Sequence, residues 1–161
     1  MTEFPSKISF TSGVIGIISV FTPIIFHLGP NSVYNFWSWG FILFFSLNSN
    51  EIGTTYNTEV EFLIPGFISL ILIVISSVLI LVITLKRKKS QKVNVKYHLI
   101  GGIVMIASPL VLMAAWQIIY IIVRDYPTFW GVNYYWPSVA IFLQLIAGTL
   151  ALLSNMKMRV K

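Results

Sequence analysis

The sequence predicts an all-α membrane protein, a four-transmembrane-helix bundle with a small extracellular β-hairpin or sheet on its first outer loop. Three observations carry that prediction. The 161 residues are 57% hydrophobic and only 10% charged, against about 25% charged in an average soluble domain. Mean hydropathy is +0.84. Four apolar runs, at residues 8–28, 63–85, 99–123 and 136–153, approach or exceed the roughly 20 residues a helix needs to cross a ~30 Å hydrocarbon core. Together they make a single four-span membrane domain over residues 1–161, with outer loops at 29–62 and 124–135 and an inner loop at 86–98.

The basic residues set the direction of the spans. Lys86, Arg87, Lys88, Lys89, Lys92 and Lys96 lie between the second and third runs. Lys157, Arg159 and Lys161 follow the fourth, and Lys7 precedes the first. Only Arg124 falls on the other side. Cytoplasmic loops carry the Lys/Arg excess, so both termini are expected in the cytoplasm of a multi-pass cell-membrane protein. The same placement argues against a nucleic-acid partner, because a net charge of +6 spread along membrane boundaries is not a basic face. The bilayer is the implied partner, with Lys86, Arg87, Lys88 and Lys89 facing anionic headgroups.

The first run reads as an uncleaved anchor. It is too long for a signal peptide, and Pro30 stands where cleavage would be needed. Residues 33–47, V-Y-N-F-W-S-W-G-F-I-L-F-F-S-L, are too short for a fifth span, at about 22 Å of helix. As a strand their odd positions form one apolar face. As a helix, Tyr34, Trp37, Phe41 and Phe44 share a side. Aromatic enrichment favours the strand, and the turn-rich residues 48–53 followed by T-T-Y-N-T-E-V favour a hairpin. The second outer loop adds Phe129 and Trp130 in turn chemistry, then Tyr134, Tyr135 and Trp136 as an interface belt. Pro137 suits a first helical turn.

Small residues supply the packing surfaces. Ser9-x-x-x-Gly13 and Ser12-x-x-x-Gly16 mark the first run, Gly101-Gly102 the third, and Ala147-x-x-x-Ala151 the fourth. Such spacing lets helices approach closely, here within one chain in preference to a dimer. Pro23 and Pro109 are expected to kink their helices.

Chemistry is hard to find. The chain has no cysteine, which excludes disulfides, thiol catalysis and Cys-based metal or iron–sulfur sites. His27 and His98 lie at opposite ends of the spans, too far apart to share a haem, and read as interfacial residues. Glu59 and Glu61 would share a face on a strand, and read as solvated loop charges. No phosphate-binding, zinc-protease or nucleophile-elbow motif occurs. Gln117 and Gln144 are the two amides deep within spans, placed to bond each other or the backbone. No enzyme, cofactor or metal site is expected.

Thr22-Pro23 near the end of the first run and Trp37-Ser38-Trp39-Gly40-Phe41 beyond it resemble the span exit and W…GLW signature of the claudin/PMP22-like four-transmembrane superfamily. The resemblance implies a non-enzymatic protein that makes lateral or cell-surface contacts through its outer loops, as an adhesion or scaffold protein. Its partner would be another copy, giving a homo-oligomer, or a different membrane protein. The expected contact residues are Tyr34, Trp37, Trp39, Phe41, Phe44, Phe129 and Trp130. The alternatives are a small-molecule binder or transporter with an outer-half cavity near Gln117 and Gln144, and an accessory subunit of a larger membrane complex.

Overall fold

A computed structural model of the chain describes residues 3–46, 48–56, 59–89, 94–124 and 135–159. Four helices dominate: α1 (Glu3–Val20), α2 (Val60–Lys88), α3 (Val95–Arg124) and α4 (Val139–Arg159). They pack in a ring, each against the next, with α4 closing on α1. Five short strands form one antiparallel sheet at one end: β1 (Ile25–Leu28), β2 (Ser32–Phe36), β3 (Phe41–Ser46), β4 (Ile52–Tyr56) and β5 (Tyr135–Pro137). Their order is β4-β3-β2-β1-β5.

Among the described residues, three helical stretches are long and apolar enough to cross a membrane, Val60–Lys88, Val95–Ile122 and Val139–Met156. The apolar part of α1, Ser6–Val20, is shorter. Here the expected span at 8–28 is corrected. The helix stops at Val20, and residues 25–28 become β1. Pro23 ends the helix instead of kinking it. Proline disfavours helical geometry in the residue before it and has no N–H for the ladder. The last turn tightens as Phe21 N donates to Ile18 O (3.0 Å) and Thr22 Oγ1 to Ser19 O (2.9 Å). Pro109, in contrast, sits inside α3, which continues through it.

Residues 33–47 are not one strand. The chain folds back at Trp37–Gly40, where Gly40 N donates to Trp37 O (3.0 Å) and Trp37 N to Phe41 O (2.9 Å). Gly40 has φ 89°, a conformation that only glycine adopts freely. The expected single hairpin is therefore a meander, extended by β1 on one side and by β5 from the last inter-helix segment. Pro137 belongs to β5 and not to the first turn of α4. The orphan donors at the start of α4 are met from across the chain instead. Ser138 N donates to Ile24 O (3.0 Å) and Ala140 N to Pro23 O (3.1 Å).

The sheet rests on the bundle through a buried apolar cluster of Ile24, Ile25, Phe62, Leu112, Trp116, Ala140 and Ile141, joined by Phe36. Trp116 Nε1 donates to Phe62 O at 3.0 Å within it. A second cluster, Ile80, Met105, Ala147 and Ala151, lies deeper in the bundle. Along α2 the buried positions Phe62, Gly66, Ser69, Ile73, Ser76, Ile80 and Ile83 alternate by four and three, a coiled-coil seam. Polarity along that seam is inverted relative to a soluble helix. Serines face in, while Ile64, Phe67, Ile68, Ile71 and Ile75 face out.

Candidate functional site

The sheet has two faces, and strand pairing assigns them. One carries His27, Tyr34 and Phe44 side by side across β1, β2 and β3. Their rings lie 5.5 and 5.9 Å apart. Gly53 follows Phe44 in that row. The ring of Phe44 occupies the space a side chain at 53 would fill. The same face carries Ile25 and Phe36 down into the cluster on the bundle.

The opposite face carries Phe26, Asn35, Leu43 and Thr54 in one row and a partly exposed apolar row beyond it. Register places Leu28, Val33, Phe45 and Ile52 in one row across four strands. Ile52 is 71% exposed, Leu28 41% and Phe45 37%. This row lies at the sheet end farthest from the helices, about 10 Å along β1 from Ile25. It breaks the usual pattern of a solvated sheet face, where outward residues are polar.

The predicted contact residues do not form one surface. Tyr34 and Phe44 are on the covered side. Trp37, Trp39 and Phe41 cluster at the β2–β3 turn with Tyr56, Trp39 and Phe41 stacking at 5.2 Å. Trp37 Nε1 donates to Phe21 O at 2.9 Å, tying the turn to the end of α1. Ser38 lies so close over Gly66 of α2 that no Cβ fits there. This cluster anchors the sheet to the bundle. Phe129 and Trp130 lie outside the described residues. Leu28 and Ile52 are the residues that sequence reasoning missed. One was read into a span and the other into a turn.

No protein-family model and no curated protein matches this chain.

The bundle interior holds the remaining candidates. Gly13 packs on Leu81 and Gly16 on Met105 and Ser77. Gly102 faces Ala151 and Leu152. Ala147 is buried with Ala151, and its carbonyl accepts from Ser12 Oγ at 2.6 Å. The packing surfaces thus serve contacts within the chain. With Gly102 opposite Ala151, Gln144 stands level with Pro109, and Gln117 lies about 12 Å nearer the sheet. The structure does not bring the two amides together. Gln144 is buried, and near its height Ser69 and Ser108 bond at 2.9 Å.

His98 is not interfacial. It is fully buried, and its Nε2 bonds Ser9 Oγ, which in turn lies 2.5 Å from Thr84 Oγ1. Glu59 and Glu61 are not on a strand either. Glu59 caps α2, and Glu61 sits in its first turn, where the helix dipole favours acids. Lys86, Arg87 and Lys88 fill the last turn of α2, with Lys89 as its C-cap, at the end remote from the sheet. That is the favourable end for cations. Among the described residues no group of three or more His, Asp or Glu could hold a metal ion.

Proposed function

We propose that this chain is a non-enzymatic, four-span membrane protein whose outer sheet makes lateral or cell-surface contacts with a second copy or with another membrane protein. The observation that carries the contact role is the row Leu28–Val33–Phe45–Ile52. Exposed apolar residues scattered singly are ordinary, but a continuous row across four strands marks an interaction surface. Lipid does not account for it, because the row is on the far side of the sheet from the helices.

Membrane insertion is supported by the three long apolar stretches and by the inverted polarity of α2. The orientation follows from charge. The basic residues of α2 and Lys96 of α3 gather at the end remote from the sheet, while Glu51, Glu59 and Glu61 lie near it. By the positive-inside rule this charge distribution favours a sheet outside the cell. A claudin-like reading rests on the resemblance of the W-S-W-G-F segment and the four-helix order.

The absence of cysteine makes the orientation directly testable. A membrane-impermeant maleimide added to intact cells is expected to label Ser49→Cys in the β3–β4 turn. It is expected to label Lys88→Cys only after permeabilisation. The reverse pattern refutes the orientation.

The contact role predicts that Phe45→Ser combined with Ile52→Ser abolishes assembly while leaving helix content by circular dichroism unchanged. Native mass measurement in mild detergent and pulldown from the native membrane read the assembly. A wild-type protein that is monomeric and retrieves no partner, or a double variant that assembles as wild type, removes the proposal.

A further inference from the structure

At the bundle end remote from the sheet, each helix brings a polar side chain into the interior. These are Ser9, Thr84, His98 and Asn155, all buried. Their protons can be counted. Thr84 has one hydroxyl proton, and Thr84 Oγ1 lies 2.7 Å from the Ile80 carbonyl, which can only accept. Thr84 therefore accepts from Ser9 across 2.5 Å. That commits the only proton on Ser9, so its oxygen must accept from His98 Nε2–H. His98 thus carries a proton on Nε2, and in the neutral imidazole its Nδ1 is an acceptor. The series ends at a backbone carbonyl, so it orients the imidazole and relays nothing.

Among the described residues, neither His98 Nδ1 nor Asn155 Oδ1 has a hydrogen-bond partner. His98 is 0% exposed and Asn155 1%. The two stand at one height. Gly102 of α3 faces Ala151 of α4, and Gly148 faces Ile106. His98 is one turn before Gly102, and Asn155 one turn after Ala151, on the same facing sides. A buried acceptor without a donor is destabilising, and two at one level ask for a donor between them.

We propose that His98 Nδ1 and Asn155 Oδ1 form a buried site for one small, neutral, two-donor molecule, namely water, held between α3 and α4. Water offers two protons to two acceptors and is the smallest neutral molecule that does so. Cations of similar size are disfavoured. Lys86, Arg87, Lys88 and Lys89 stand together at that end of α2. The site differs from the sheet in place and chemistry, so it stands or falls independently of the contact role.

The test uses His27→Gln, which leaves His98 as the only histidine. In 15N-histidine-labelled protein of full length, magic-angle-spinning NMR is expected to find Nε2 protonated and Nδ1 unprotonated. Magnetisation should pass from water to Nδ1. Asn155→Leu is expected to reduce that transfer several-fold and to move the Nδ1 resonance toward its unbonded position. Asn155→Ser, which retains a polar atom in less volume, should give the same direction of change if the leucine variant fails to fold. Gln144→Leu should change neither. Ammonium or zinc ions should leave the spectrum as it is. A protonated Nδ1, transfer that is absent or unaffected by either Asn155 variant, or a response to either cation overturns the assignment.

Discussion

Gly16→Leu is expected to break the packed arrangement of helices, lowering the thermal midpoint in detergent by about 2–12 °C. At Gly16, α1 packs against both α2 and α3. Even a methyl group there would overlap the Met105 side chain and the Ser77 hydroxyl. Met105 is fully buried and Ser77 is bonded to Ile73 O at 2.7 Å, so neither has an empty place to move to. Overpacking of a close-packed interior typically costs about 1–3 kcal/mol, and here three further carbons must be housed. The helix has to move outward, which also stretches the nearby bond from Ser12 to Ala147 O. Phe10→Leu is the matched control on the same helix, because Phe10 points away from the bundle. It should leave the midpoint within a degree or two (about 0.5 kcal/mol or less). An unchanged midpoint for Gly16→Leu would show that α1 does not pack as described.

Trp116→Ala should cost about 3–5 kcal/mol and loosen the sheet from the helices. The indole is 4% exposed and fills the centre of the cluster between sheet and bundle. Its removal opens a cavity under Ile25 and Phe36, which the stiff ends of β1 and β2 cannot collapse to fill. Trp116→Phe separates packing from hydrogen bonding. It keeps most of the ring volume and loses only the bond to Phe62 O, worth about 1 kcal/mol. Hydrogen exchange at the amides of Ile25 and Ile24 reads the outcome directly. Faster exchange in the alanine variant and near-normal exchange in the phenylalanine variant are expected. Equal protection in all three proteins would mean that the sheet does not depend on this seal.

The helices were readable because apolar runs of helical length have few other uses. Their ends were not. Hydropathy does not distinguish the last turns of a helix from a buried strand, so Ile24 to Leu28 joined the first run. Pro23 followed by two β-branched residues was the signal that could have divided it. Gly40 was the corresponding signal in the aromatic segment, since a glycine four residues into W-S-W-G marks a turn as readily as a gap in a strand face. β5 has three residues and no pattern of its own. It exists because β1 offers an unpaired edge.

The exposed row was unreadable for a related reason. Leu28 and Ile52 are 24 positions apart, and only strand register makes them members of one surface. Inside the bundle, Ser9, Ser12, Gly16 and Ser19 recur at helical spacing, so the inward face of α1 could be seen in the sequence. That Ser9 would meet Thr84 and His98 could not, because each lies on a different helix and nothing local fixes their relative heights. The aromatic residues were identified as important without their division of labour. Trp37 holds the sheet to α1, while Phe45 remains uncovered.

The pairing of β1 with β5 has a consequence for biosynthesis. Ile25 emerges from the ribosome about 112 residues before its partner Pro137. Strands β1 to β4 can assemble as soon as residue 56 is available, since their contacts are local and fast to form. The fifth strand, and the bonds from the start of α4 to Pro23 and Ile24, must wait until residue 140 has been made. Until then α1 lacks its α4 neighbour, and Ile24 and Ile25 stay open to wrong associations. Closure of the ring is therefore a checkpoint at which a later segment locks an earlier one in place.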